Sequence, residues 1–228
     1  MIIGITGSFG SGKTTVAKMF AKLGAYTIDA DKVYHSLIKP GNSCYKKIVQ
    51  HFGKGILKKN QPFDYPKPKG QVLLRVDTER RLCLRSKGRG LAPSKYQEID
   101  TKKLGRIVFE EKSKLKLLNR LVQPEIIRKI QEIIKDFGKL IVVDAALLVE
   151  SGFYKKVDKI IVVKNKISMQ VKRLKQAKGL TEKDIIRRIR MQMPLKKKLA
   201  FADFIIDNSG SKKDTLSQAR KVWEQIGE

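Results

Sequence analysis

Between the apolar run Met1-Ile2-Ile3-Gly4-Ile5 and a stretch of helical periodicity that begins at Lys13, the chain reads Gly7-Ser8-Phe9-Gly10-Ser11-Gly12-Lys13-Thr14. This is Gly-x-x-x-x-Gly-Lys-Thr in the strand-then-helix context that gives the pattern its specificity. Glycines at 7, 10 and 12 let the backbone wrap tightly, so that consecutive N–H groups point inward, and the following helix adds the positive end of its dipole. Such a loop holds a chain of phosphates. Lys13 is expected to bridge the two outer phosphates, Thr14 to place its hydroxyl on Mg²⁺, and Ser11 and Thr15 to reach phosphate oxygens. A glycine turn with an incidental lysine does not account for this placement.

The rest of the chain alternates short β-branched runs with helical patterns. Tyr26-Thr27-Ile28 reads as a second strand ending at Asp29, and Leu140 to Val143, Ile160 to Val163 and Phe204 to Ile206 read as three more. Helical spacing runs from Val16 to Leu23 with Gly24 as a stop, and again over Leu115 to Val122, Pro124 to Asp136, Ile167 to Lys178, Glu182 to Met191 and Lys212 to Gln225. Pro124 is expected to open its helix at the first turn, and Thr181-Glu182-Lys183-Asp184 has the form of a capping box. Strands alternating with helices behind a phosphate loop predict one α/β domain of the P-loop nucleoside-triphosphate hydrolase type, a three-layer sandwich around a mostly parallel sheet. Trp223 is expected to anchor the last helix to that core.

The 228 residues, 41% of them apolar, suffice for a packed core without staples. Cys44 and Cys83 show neither C-x-x-C spacing nor a histidine cluster, so they read as free thiols in a reducing compartment. No apolar run reaches the ~20 residues of a membrane span, and no basic leader precedes the first strand, so a cytoplasmic protein is expected, as a monomer or small homo-oligomer. From about Lys58 to Gln97 the pattern breaks into a basic stretch rich in proline and glycine, which reads as an insertion without catalytic duty. The net charge of +28, from 50 Lys+Arg against 22 Asp+Glu, attracts polyanions, although a general preference for surface lysine accounts for it equally well.

Phosphoryl transfer needs metal ligands, a proton acceptor and cations over the developing charge. Asp144 closes the Leu140 to Val143 run, the position of a Walker-B acid. Asp29 and Asp31 follow the second strand as Asp-Ala-Asp, and in extended chain both side chains fall on one face, turned to the phosphate loop; a helix cap is the structural alternative for Asp31. Arg173 and the pair Arg187-Arg188 sit on helices placed to form a lid. His35 just after Asp31 reads as a partly exposed histidine without a partner.

These residues converge on a family. Ile3 to Thr15, Ile28-Asp29-Ala30-Asp31, Val143 to Gly152, and Arg188 to Pro194 with Ala202 to Gly210 resemble dephospho-coenzyme A kinase, and the likeness spans nearly everything except the basic stretch. The resemblance implies transfer of the γ-phosphoryl group of ATP, with Mg²⁺, to the ribose 3′-hydroxyl of dephospho-coenzyme A. It implies Asp31 as general base beside Lys13, Arg173 as a lid arginine facing the transferred phosphate, and Arg188 and the Asn208-Ser209-Gly210 turn at the ATP site. Asp29, Asp31, Leu147 and Glu150 would line the acceptor site, and Thr14 and Asp144 the metal. It also implies a helical acceptor-side region over about residues 32–136, containing the insertion, and a lid over about 167–198. The chain departs from the family pattern at Ala146 and Val149, where proline and phenylalanine are usual, and at Gln123, where histidine is usual. A nucleoside or nucleotide kinase shares the same fold. A nucleic-acid-binding role through the basic stretch is a reading of another class, but that stretch has no helix-turn-helix, finger or aromatic-rich sheet motif.

Overall fold

The computed structural model describes residues 1–58, 97–137 and 140–227. The basic stretch over 58–97, with Cys83, lies outside them except at its two ends. Those ends are joined, because Leu57 bridges Ile99 antiparallel and the Lys58 N–H donates to the Glu98 carbonyl at 2.9 Å.

Five strands form one parallel sheet: β1 (Ile2–Gly7), β2 (Tyr26–Asp29), β3 (Ile141–Asp144), β4 (Lys159–Lys164) and β5 (Phe204–Asp207), in the spatial order β2-β3-β1-β4-β5. The three central strands β1, β3 and β4 are buried on both faces, as a parallel sheet covered by helices requires, while the edge strands β2 and β5 leave Thr27 and Ile205 exposed. Alternation sorts their side chains into two cores. Ile3, Ile5, Val142, Ile161 and Val163 face one cluster, and Ile141, Val143, Ile160 and Val162 face the other.

The first cluster is closed by α1 (Lys13–Lys22) and the last helix, α9 (Lys212–Gly227). Trp223 packs its ring edge-on against Phe20 at 6.1 Å, the anchoring role expected of it. Phe20 has no accessible surface, a burial that contributes about 1.5–3 kcal/mol. The second cluster is covered by α2 (Ala30–Leu37), α3 (Ser43–Phe52), α4 (Thr101–Glu110) and α5 (Lys112–Lys135). Gly4 is needed on this side, because a Cβ there would stand 2.5 Å from Leu148 Cδ2.

Helix α5 corrects the expectation of a helix opening at Pro124, since one helix runs through that proline. Leu118, Val122, Ile126 and Ile130 recur every four residues on its buried face, on both sides of Pro124. A continuous apolar stripe outweighs the single i→i−4 bond that proline removes. The remaining helices are α6 (Ile167–Lys178), α7 (Glu182–Arg190) and the short α8 (Leu195–Leu199), with α6 and α7 packed around Val171, Leu174 and Ile185. Thr181 caps α7, accepting the Asp184 N–H at 3.2 Å and donating its hydroxyl to Asp184 Oδ2 at 2.7 Å.

Candidate active site

The loop between Gly7, which ends β1, and Lys13, which begins α1, lies at the carboxyl edge of the sheet, where a parallel α/β fold presents its ligand. Gly12 precedes the helix with φ 95°, and no side chain caps the first turn, which also carries no acidic residue. The N–H groups at that end are left for an anion. Ser11 Oγ is buried with no hydrogen-bond partner among the described residues, an orphan that a phosphate oxygen would satisfy. Gly10 lies in the loop against Leu174 of α6, and Thr15 follows in the first turn of α1.

Lys13 extends back along this loop, its Nζ donating to the Ser8 carbonyl at 3.1 Å. Desolvation of the ammonium lowers its pKa, while Asp144, Asp31 and Glu150 oppose the shift and Lys198 adds to it. Four charged groups thus act on Lys13 at the loop. Thr14 donates its hydroxyl to Asp144 Oδ2 at 2.7 Å. Burial pushes the Asp144 carboxyl above its ordinary value, opposed by the Thr14 hydrogen bond and the Lys13 charge, with Asp29 and Asp31 contributing to the rise. A hydroxyl beside a carboxylate suits Mg²⁺, which takes few protein ligands and fills its shell with phosphate and water oxygens.

Asp29 and Asp31 do not share a strand face as extended chain would give. The chain turns into α2 at Ala30, and Asp29 caps that helix, its Oδ1 accepting N–H groups from Asp31 at 2.9 Å and Lys32 at 3.2 Å. The capping role therefore belongs to Asp29, and Asp31 projects exposed from the first turn. Tyr34, one turn further on, has its phenol pushed up to about 12 by burial, with the Cys44 thiol and Asp31 adding. His35 is exposed and its ring tilts against Tyr34 at 5.4 Å.

Asn208 turns its side-chain amide into the phosphate loop. Its Nδ2 donates to the Ser11 carbonyl at 2.8 Å, and its Oδ1 accepts the Thr215 hydroxyl at 3.0 Å. A Cβ on Gly12 would fall 1.9 Å from that Nδ2, so the clamp and the glycine require each other. Arg173 Nη1 donates to the Asn208 carbonyl at 3.2 Å, and the Ser209 hydroxyl accepts the Lys166 N–H at 3.1 Å. Gly210 follows, against Asp214 at the entrance to α9. Gln170, missed in the sequence, donates to Ser8 Oγ and to the Asn165 carbonyl, each at 3.0 Å. Through Gln170 and Arg173, α6 holds both the phosphate loop and the turn after β5.

Leu147 and Glu150 belong to the turn that follows β3, with Leu148 in the core beneath. Lys198, also missed, has no accessible surface and donates to the Ala146 carbonyl at 2.6 Å. It pairs with Glu150 at 2.9 Å, and the same Glu150 Oε1 accepts the Met193 N–H at 3.0 Å. Burial holds the Lys198 ammonium below its ordinary value, with Glu150 opposing. The spacing of Leu195, Leu199 and Ala202, all packed on the second cluster, places Lys198 on the inward face and was the available signal. Arg188 lies on α7 over two aromatic rings, those of Phe9 and Phe109.

Known proteins match this arrangement along most of the chain. The sequence model of the dephospho-CoA kinase family matches residues 1–64 and 94–214, and the residues between fall within the basic stretch. The dephospho-CoA kinase of Aquifex aeolicus is 37% identical over 226 residues, 98% of this chain and 96% of that one. The Arabidopsis thaliana dephospho-CoA kinase is 36% identical over 99% of this chain and 83% of its own. Among solved structures, Thermus thermophilus TT1252 shares the fold with TM-score 0.72 at 23% identity, covering 99% of this chain and 97% of that one. The dephospho-CoA kinase of Campylobacter jejuni superimposes with TM-score 0.58 at 27% identity, over 99% and 96%. With a phosphate loop, a Thr14–Asp144 pair and an Asp29-Ala30-Asp31 turn at one sheet edge, and with relatives matching over nearly its whole length, the chain belongs to the dephospho-CoA kinase family.

Proposed function

We propose that this kinase carries out the last step of coenzyme A biosynthesis with Asp31 as the base that activates the acceptor and Lys13 as the cation on the transferred group. The observation that supports this assignment is geometric: Lys13 lies along a phosphate loop that ends in an uncapped helix terminus, Thr14 beside it is hydrogen-bonded to Asp144, and Asp31 projects from the first turn of α2. The loop takes the triphosphate of ATP and the 3′-hydroxyl of dephospho-CoA approaches from the side of α2. As the 3′-oxygen bonds to the γ-phosphorus, its proton passes to the Asp31 carboxylate. The bond from that phosphorus to the β,γ-bridging oxygen breaks and the electron pair leaves with ADP. Lys13 and Arg173 stabilise the charge spread over the transferring oxygens. Mg²⁺, held from the Thr14 hydroxyl and the Asp144 carboxylate together with phosphate oxygens, would supply further charge neutralisation.

Ser11, Thr15 and Arg188 complete the donor side, with Asn208, Ser209 and Gly210 forming the turn beside the adenine of ATP, and Asp29, Leu147 and Glu150 shape the acceptor side. Residues 167–198 act as the lid and the helices within 32–136 as the acceptor wall. No helix among the described residues is long and apolar enough to cross a membrane. The test is ADP formation by purified protein with ATP and Mg²⁺ across dephospho-CoA, nucleosides and nucleoside monophosphates. Turnover is expected with dephospho-CoA above all others, and a loss of about 10²–10⁴-fold in Asp31→Asn. A monophosphate preferred over dephospho-CoA, or an Asp31→Asn variant as fast as the parent, would overturn the assignment.

A further inference from the structure

The Arg188 guanidinium carbon lies 4.6 Å from the centroid of the Phe109 ring and 5.4 Å from that of Phe9, both within cation–π range. The two rings come from different parts of the molecule. Phe9 belongs to the phosphate loop and packs with the Val171, Leu174 and Ile185 cluster, while Phe109 stands in the last turn of α4 and packs on the second sheet cluster. Among the described residues Arg188 makes no hydrogen bond or ion pair, and Asp184, one turn earlier, is the carboxylate that acts on it. Burial disfavours its charge. A guanidinium held over an aromatic ring loses freedom without spending its N–H donors, which stay available for an anion.

We propose that Phe109 is a positioning residue for Arg188, holding the guanidinium so that its free N–H edge is presented to a phosphate oxygen of the reacting nucleotides. The proposal rests on the reading of this site as one of phosphoryl transfer. It makes α4 on the acceptor side part of the device that sets a lid arginine, and links the state of that helix to the transfer step. Core packing accounts for only part of the ring's placement, because Leu104 and Val108 are the buried contacts of α4 with the interior at 2% exposure each, while Phe109 packs on the second cluster only partly buried.

The test is a kinetic cycle on the full chain with ATP, Mg²⁺ and dephospho-CoA, using Phe109→Leu, Phe109→Tyr, Arg188→Met and the double variant Phe109→Leu/Arg188→Met. Leucine keeps apolar bulk and removes the ring face. Phe109→Leu is expected to lower kcat by about three- to tenfold at little change in either KM, with the thermal midpoint within about 2 °C of the parent. Phe109→Tyr restores the rate, and Phe109→Leu costs nothing further once Arg188→Met is in place. Equal losses from Phe109→Leu in the parental and Arg188→Met backgrounds would overturn the proposal, as would an unchanged kcat or a loss that tracks the thermal midpoint. Parental turnover of dephospho-CoA in the same assay separates these failures from failure of the site reading, which appears as no ADP formation by the parent itself.

Discussion

Lys198 Nζ stands 2.9 Å from Glu150 Oε1 at a side chain with no accessible surface, whereas the Glu150 side chain keeps 21% of its own. The two ends of this pair are therefore unequal. Removing the negative charge leaves an enclosed ammonium with only neutral acceptors, the Ala146 carbonyl among them, while removing the ammonium leaves a carboxylate that still reaches water and the Met193 N–H. Glu150→Gln is expected to destabilise by about 3–5 kcal/mol and Lys198→Met by less. Glu150→Gln/Lys198→Met should cost less than the sum of the two. Urea unfolding of the three variants measures this, and strict additivity would show that the pair does not act as a unit.

The Thr14–Asp144 hydrogen bond gives the metal proposal a direct test. Thr14→Val keeps the shape and loses the hydroxyl, while Thr14→Ser keeps the hydroxyl. Valine is expected to weaken apparent Mg²⁺ affinity by about 10–100-fold, with turnover partly recovered at high Mg²⁺, and serine to behave nearly as the parent. A Mg²⁺ titration at saturating ATP reads both. Equal behaviour of valine and serine would remove Thr14 from the metal site.

Asn208 joins the turn after β5 to the phosphate loop, and the identity of each atom matters. Asn208→Ala takes the amide donor from the Ser11 carbonyl, a cost of about 1–3 kcal/mol, while the Thr215 hydroxyl keeps the Ser211 carbonyl at 3.1 Å, and it frees the loop against Gly12. Asn208→Asp sets a carboxylate oxygen against the Ser11 carbonyl beside a phosphate site. The KM for ATP is expected to rise in alanine and to rise further in aspartate, with the thermal midpoint falling in the same order. An aspartate variant with parental KM would show that the amide does not hold the loop.

Which of these features could be read without a structure follows from how local their causes are. The strands are legible because short β-branched apolar runs must be at least half buried, and Asp144 because a carboxylate that ends a strand next to the first one stands beside the phosphate loop. The face shared by Asp29 and Asp31 was misjudged because strand periodicity was carried past Ala30, where the N–H groups of Asp31 and Lys32 bind Asp29 and start a helix. Pro124 misled for the opposite reason: a local helix breaker was overruled by tertiary burial of Val122 and Ile126. Lys198 hid in the run Lys196-Lys197-Lys198, which composition alone reads as a solvated surface. Asn208 stands out in the sequence only as part of its motif, and three-dimensional proximity alone shows that its amide faces Ser11.

Asp100 bears on α4, the helix that carries Phe109. Its Oδ1 accepts the N–H groups of Lys102 at 3.0 Å and Lys103 at 3.1 Å, capping that helix. The Lys103 N–H foremost, then the Lys102 N–H and the Lys103 and Lys58 charges, hold its carboxyl below the ordinary 3.8, with burial opposing. A carboxyl depressed in the folded state binds its proton more readily when unfolded. Its contribution is thus fully present above the ordinary value and is lost as pH falls below 3.8 through the depressed folded value. Asp100→Ala is expected to cost about 0.5–2 kcal/mol near neutral pH, and the gap to the parent to narrow in acid as the parental carboxylate is protonated. Asp100→Asn keeps an acceptor without the charge and should lie between the two near neutrality. Urea unfolding of all three proteins near neutral pH and in the acid limb of the stability curve decides it. If the parent and the alanine variant stay equally far apart at both, the ionised carboxylate contributes nothing, and the start of α4 depends on its packing alone.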